Sequence, residues 1–488
     1  MNKLITLFNH FRYLILIFLV LLVVVRPALS AEINLPLLGD ESSSNISPQK
    51  EFELGRAWLK AYRSRVNENH DPLLRNYLEK LISKLASKSR LEDRRIELIV
   101  INNSTLNAFA VPGGIIGVHT GLFLYAKTED ELASVIAHEI AHLSQRHFAR
   151  RLNQQKKNRV VSMAGLLASL ILAATAGSDA GMAGLSATQT MGMNTALRYS
   201  RQNEREADRL GLQTMIASGM NPSAMSSMFE GMLKLSRHAS SKIPEFLRSH
   251  PLTQDRVVDA KNRINQLKVK NYSDNFEFHL MRARAIIAIK EDPNLSLNYF
   301  KNQLSDTGKN KNAAIYGVAL SNMAMRNFTT TDKLINKLMK ISPNELLYKM
   351  AQIESYRNQE KYTTAIEKTL SLLKYDTKSY PLRMSLAETY LKANRFFDSE
   401  KILNSLKNSH PNNPEVWFQL AEVRGLSGDI PGVHLARSEY FILIGVFDKA
   451  RDQLMYARKL LVNDYNKKLL IDQRLKNLEK IEEDIKNL

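Results

Sequence analysis

The chain of 488 residues has no cysteine, which excludes every disulfide and any lipid anchor built on an N-terminal cysteine. Long apolar runs are scarce as well. The run near the N-terminus, Leu14 to Val25, is twelve residues long, against the roughly twenty that a helix needs to span a bilayer. With Lys3 and Arg12 before it and Ala28-Leu29-Ser30 after it, this stretch reads as an export leader cleaved before Ala31. An uncleaved anchor beginning near Ile5 is the alternative. Acidic residues are outnumbered, 49 Asp and Glu against 68 Lys and Arg, for a net charge of +19. Such a chain is drawn to polyanions. No nucleic-acid-binding motif is present, so for an exported chain the expected polyanion is an anionic membrane surface. Scattered lysines that serve only solubility are the other reading.

The length calls for two or more domains. After the leader (1–30), residues 31–50 read as a loose linker. Residues 51–89 then carry apolar positions three or four apart, with Phe52, Leu54, Trp58 and Tyr62 followed by Leu73, Leu74, Tyr77, Leu78, Leu81 and Leu85. Three short strands are expected at Ile96–Ile101, Leu106–Val111 and Ile115–Val118, the last two separated by Pro112-Gly113-Gly114. Thr128 and Glu131 form a capping box that opens a further helix.

That helix carries His138-Glu139-Ile140-Ala141-His142. Histidines four apart project from one helical face and can reach a single metal ion. Zinc accepts imidazole nitrogen, and a glutamate between the two can take a proton from an attacking water. Leu132, Val135, Ile136, Ala137, Ile140 and Leu143 make the helix apolar around most of its girth, so its polar groups need partners and a metal supplies them. Zinc at one equivalent per chain is expected.

A third ligand must come from elsewhere. The tenth position after His138 is Phe148 rather than histidine, and on a continued helix His147 would face about 180° away from His138. Downstream, Glu204, Ala207, Asp208 and Gly211 form one helical stripe. Its small residues allow close approach, with Glu204 placed to complete the zinc shell and Asp208 to hold a ligand histidine by its other nitrogen. Glu206 falls on the opposite side, towards solvent and nearby arginines. The segment Asn107-Ala108-Phe109-Ala110 lies where an exposed strand edge would pair with an extended peptide, and Gly113 and Gly114 allow close backbone approach. A hairpin that only supports the histidine helix is equally compatible.

Residues 269–488 repeat. Ala285, Ala319, Ile353, Ala387 and Ala421 are spaced by 34, as are Leu304, Leu338, Leu372 and Leu406, and Phe328, Tyr362 and Phe396. This period is that of tetratricopeptide helix pairs, which stack into a solenoid with a concave binding surface. The phase slips after Gly428, and Gly445, Phe447, Ala450, Leu454 and Ala457 restart it out of step. The segment Val160–Ala176 with its Met-rich continuation to Met193 is apolar behind a basic flank. It is read as a membrane-surface helix giving peripheral membrane contact, or as a core helix.

Taken jointly, Asn107 to Gly114, the His138-Glu139-x-x-His142 motif, Glu204-x-x-x-Asp208 and Ser249-His250-Pro251 resemble the gluzincin peptidases related to the Htp-type heat-shock and Ste-type CAAX proteases, over roughly residues 51–268. The leader and the repeats point to the branch acting in the periplasm. The resemblance implies a mostly α chain, with an α+β zincin-like metallopeptidase domain followed by an α-solenoid of tetratricopeptide repeats. It implies His138, His142 and Glu204 as zinc ligands and Glu139 as general base. His250 is placed near the zinc, either as a donor to the oxyanion or as a latch on the open coordination position. The implied partners are unfolded or misassembled outer-membrane proteins and, through the solenoid, the outer-membrane assembly machinery. Two functions follow: an endopeptidase whose repeats recruit substrate, or a latent peptidase acting mainly as a repeat-based chaperone or scaffold.

Overall fold

The computed structural model describes residues 47–150, 201–238, 244–268, 270–305 and 308–486. The leader, most of the linker and the segment 160–193 lie outside the described residues. Among the described residues, no helix is long and apolar enough to cross a membrane.

Helix α1 (Pro48–Arg63) starts earlier than the linker composition suggests. The Ser47 hydroxyl accepts from the Lys50 amide at 3.2 Å, and Pro48 presets the first helical turn. Helix α2 (Pro72–Lys88) is capped in the same way by Asp71. Strands β1 (Glu97–Ile101), β2 (Ala108–Val111) and β3 (Ile115–His119) form a sheet in the order β1-β3-β2, with β1 parallel and β2 antiparallel to β3. β2 is therefore an edge strand. The turn into β3 needs glycine twice. Gly113 and Gly114 have φ of +80° and +78°, and an added Cβ would stand 2.7 Å from Glu51 O and 2.6 Å from Arg95 O. The close approach is thus to α1 and to the lead-in of β1.

After the short α3 (Leu122–Tyr125), α4 (Glu129–Ser144) carries the histidines and is buried nearly all round. Thr128 accepts from the Glu131 amide, while the Glu131 carboxylate returns to the Lys127 amide at 2.7 Å, one residue before the cap itself. Among the described residues, helices α5 (Arg201–Ala217), α6 (Ser223–His238), α7 (Glu245–Ser249) and α8 (Gln254–Asn265) follow in the region around α4.

Among the described residues twelve helices follow: α9 (Phe276–Ile289), α10 (Pro293–Asn302), α11 (Gly308–Ala324), α12 (Phe328–Ile341), α13 (Leu346–Asn358), α14 (Tyr362–Leu373), α15 (Tyr380–Lys392), α16 (Phe396–Ser409), α17 (Pro414–Ser427), α18 (Ile430–Leu443), α19 (Phe447–Leu460) and α20 (Tyr465–Lys486). The tight turns between them show the period directly. Arg326, Glu360, Asn394 and Gly428, each with positive φ, recur every 34 residues, and Gly445 comes only 17 later. The out-of-step restart is therefore a helix that serves two hairpins, α17–α18 and then α18–α19. Gly445 also meets the first region: a Cβ there would stand 2.4 Å from Lys60 O on α1.

The core does not break at residue 268. A single cluster of buried side chains runs from Leu73 and Leu78 through Phe123 and Ile136 to Phe278, Tyr316 and Tyr348. Phe123 and Phe278 stack with centroids 5.9 Å apart, and Arg282 donates to Phe123 O at 2.9 Å.

Candidate metal centre and active site

His138 and His142 lie one turn apart on α4, and their Nε2 atoms are 3.0 Å apart. Helix α5 crosses this face closely because Gly211 lies there: a Cβ on it would stand 3.2 Å from the His138 amide nitrogen. Glu204 is thereby brought in, with Oε2 3.5 Å from His138 Nε2 and Oε1 3.5 Å from His142 Nε2. The fourth donor comes from the C-cap of α7. His250 Nδ1 lies 3.1 Å from Glu204 Oε1 and 3.4 Å from His138 Nε2. These four side chains are 1–3 % exposed, and one donor atom from each lies within 4.8 Å of the others.

Three imidazoles and a carboxylate closed off from water are the donor chemistry of a zinc site. Glu139 fits the same picture. It is 1 % exposed, and neither of its oxygens makes a well-formed hydrogen bond among the described residues. The Ala110 amide of β2 and His250 Nε2, the latter 3.4 Å away, are beside it. Burial raises the Glu139 carboxyl above its ordinary value, suiting a group that must take up a proton.

Burial opposes charge throughout the cluster, and the neighbours decide the outcome. Despite burial, the Asp208 and Glu204 carboxylates push His138 up to about 9. Burial and the His138 charge hold His142 well below its usual range. Glu204 is held low against its burial by His250 and His138. A cation taking up these donors would displace the His138 proton.

Asp208 lies where its stripe on α5 predicts, with Oδ1 3.0 Å from His138 Nδ1. Arg256 on α8 was not assigned a role from sequence, yet it fixes this arrangement. Its Nε and Nη2 donate to the two Asp208 oxygens at 2.7 Å each, and Nη1 lies 2.8 Å from Glu204 Oε2. A lone arginine in a polar segment gives no signal of its own; only its place six residues after His250 hints at it.

His147 corrects the helical projection. Helix α4 ends at Ser144, and Arg146 takes φ +49°, so His147 does not continue the helix. It turns back beneath His142, with Nδ1 2.9 Å from His142 Nδ1, and it is fully buried. Glu206, expected to pair in solvent, is one-quarter exposed and meets both Arg150 at 3.4 Å and His147 Nε2 at 3.3 Å. Of the expected substrate-contact residues, Asn107 and Ala108 are buried. Phe109 is half-buried, its ring set edge-on to Trp58 and Tyr62. Their side chains pack into or against the core.

The fold and the donor set define a zinc metallopeptidase with an attached helical-repeat array. Residues 72–264 match peptidase family M48, and residues 357–421 match the tetratricopeptide repeat. The chain is 30 % identical over 455 residues to the beta-barrel assembly-enhancing protease of Escherichia coli (strain K12), covering 93 % of each chain. It is 31 % identical to the putative beta-barrel assembly-enhancing protease of Vibrio cholerae over 86 % of each. A mitochondrial metalloendopeptidase, OMA1, of Schizosaccharomyces pombe is 28 % identical over 43 % of this chain and 60 % of its own. The chain belongs to peptidase family M48, in its beta-barrel assembly-enhancing protease branch.

Proposed function

We propose that this is a periplasmic zinc endopeptidase that cuts unfolded or misassembled outer-membrane proteins, with the repeat array recruiting them or the machinery that assembles them. The observation that carries the reading is the buried His138, His142, Glu204 and His250 cluster with the Glu139 carboxyl beside it. The proposed division is a leader over 1–30, a linker over 31–50 that gives way to helix at Pro48, a peptidase domain over 51–268 and a repeat domain over 269–488. Peripheral contact with the membrane suits the basic chain, and nucleic acid has no place in this reading.

His138, His142 and Glu204 hold the zinc, which when bound supplies a Lewis acid that makes water acidic and polarises a carbonyl. Glu139 takes the proton of the attacking water and passes it to the leaving amine. Asp208 fixes His138 in the tautomer that presents Nε2. The side of edge strand β2 that no strand pairs with among the described residues, and whose Ala110 amide lies beside Glu139, pairs with the substrate backbone whatever its sequence.

His250 acts as a latch. Its ring stacks on Phe246 with centroids 4.7 Å apart and sits among the donors, which is the arrangement of a closed site. This observation also favours the second reading, a latent peptidase serving mainly as a repeat-based chaperone or scaffold. One proteolysis and zinc-content assay on the wild type, Glu139→Gln and His250→Ala separates them. Glu139→Gln is expected to keep its zinc and lose hydrolysis by about a thousandfold. His250→Ala is expected to raise basal proteolysis and self-cleavage. A roughly hundredfold fall with zinc retained would make His250 an oxyanion donor instead. Full rescue of outer-membrane assembly by Glu139→Gln would favour the scaffold.

A further inference from the structure

The two histidines of α4 have unequal outer supports. His138 Nδ1 meets a carboxylate directly, Asp208 at 3.0 Å, and Asp208 is gripped by two Arg256 bonds of 2.7 Å. His142 Nδ1 meets another imidazole, His147 Nδ1, at 2.9 Å, with the rings set edge-on and centroids 4.9 Å apart. His147 Nε2 then reaches Glu206 Oε2 at 3.3 Å, and the same oxygen meets Arg150 at 3.4 Å. The turn that puts His147 there is itself fastened: Arg146, at φ +49°, reaches Glu51 Oε1 on α1 at 3.0 Å through Nη2.

Proton positions follow from the donor set. His142 turns Nε2 towards His138 and Glu204, so when Nε2 is a ligand the ring proton sits on Nδ1. That N–H can only donate, so His147 Nδ1 accepts. The His147 proton is then on Nε2, aimed at Glu206.

We propose that His147 is a positioning residue for the metal centre, fixing the tautomer and aim of His142 and relaying them to Glu206. The proposal rests on the zinc reading above. It gives the site one rigid arm, His138–Asp208–Arg256, and one longer arm, His142–His147–Glu206, whose far end is one-quarter exposed.

The test uses the full chain and reads zinc affinity by chelator competition, the visible spectrum of the cobalt-substituted protein, and the melting of the metal-free protein. His147→Leu keeps the volume but accepts no hydrogen bond. Zinc affinity is expected to fall about 10–100-fold, with altered cobalt bands and little change in the metal-free melt. His147→Asn places an acceptor oxygen where Nδ1 stood and should recover most of that loss. Glu206→Gln should weaken zinc by about threefold to tenfold. His147→Leu binding zinc as the wild type does, with an unchanged cobalt spectrum, would overturn the proposal. So would an Asn variant no better than Leu. Should His147→Leu fail to fold, Glu206→Gln decides, and unchanged zinc affinity there overturns the relay. A wild-type chain that takes up no zinc would overturn the metal reading and the relay with it.

Discussion

The peptidase region and the repeat array are both largely helical, yet they bury different chemistry. From α9 to α20, hydroxyl groups such as Ser296, Ser321, Thr331, Thr369, Thr389, Ser399 and Ser438 make up much of the buried polar set. Several close on their own helix: Thr369 donates to Ala365 O and Thr389 to Ser385 O, each at 2.7 Å. The peptidase region instead buries Glu139, Glu204, Asp208, Glu245, His138, His142, His147, His250 and Arg256. Many of their partners come from distant segments, as Asp208 and Glu204 do for Arg256. A repeat can satisfy its polar groups as each helix forms, whereas the metal centre exists only once α4, α5, α7 and α8 have met. Sensitivity to single polar substitutions should therefore concentrate in the peptidase region.

The most severe break of that contrast is Arg256→Met. It leaves Asp208 and Glu204 as buried carboxylates without the guanidinium that bridges them. A loss of about 3–5 kcal/mol is expected in denaturant unfolding. Arg256→Lys should recover only part of it, since an ammonium cannot reproduce the two-pronged contact with Asp208. Thr369→Val in α14, which removes a local bond, should cost about 1 kcal/mol. Equal losses for Arg256→Met and Thr369→Val would abolish the distinction between the regions.

Different chemistry does not make the regions independent. Phe278 on α9 is fully buried and stacks on Phe123, within the cluster that continues into α4. Phe278→Ala is expected to cost about 3–4 kcal/mol. Calorimetry should show one transition shifted as a whole. Two transitions, with only the array's moved, would mean that the peptidase region folds apart from the repeats.

What could be read from sequence follows the same contrast. The repeats were legible because their information is local and periodic: Ala319, Ile353 and Ala387 occupy equivalent places in successive hairpins and are buried there. Even the slip after Gly428 was visible, because Gly445 and Phe447 restart the turn and the helix start. In the metal centre, helical spacing was enough to place His138, His142, Glu204 and Asp208. It failed at His147, where a turn with Arg146 at φ +49° breaks the helix after Ser144, and periodicity carries no sign of such a turn. Arg256 escaped notice because its partners lie 48 and 52 residues away along the chain. The shared core at Phe123 and Phe278 was hidden for the same reason.

The remaining expected effect concerns pH, and it sharpens the contrast because hydroxyls do not titrate in the relevant range while Glu245 does. Glu245 opens α7, whose far end presents His250, and α7 is tied to the β2 lead-in by Phe246 N donating to Leu106 O at 3.2 Å. Glu245 Oε2 accepts from the Thr105 hydroxyl at 3.1 Å, while Oε1 has no hydrogen-bond partner among the described residues. Burial pushes its carboxyl from 4.5 up to about 7, against the pull of Thr105 and Arg248. Between those values the folded chain keeps a proton that the unfolded chain has released, so stability falls as pH rises through the window. The contribution is fully present below 4.5 and lost above about 7. Allowing for partial screening by solvent, it is worth about 2 kcal/mol. The stability difference between wild type and Glu245→Gln should therefore drift across that window, while the difference between wild type and Thr331→Val in α12 stays level. A wild-type-to-Gln difference that is flat from pH 4.5 to beyond 7 would show that Glu245 titrates as an ordinary carboxylate. The junction of α7 with β2 would then be wetter than its burial indicates.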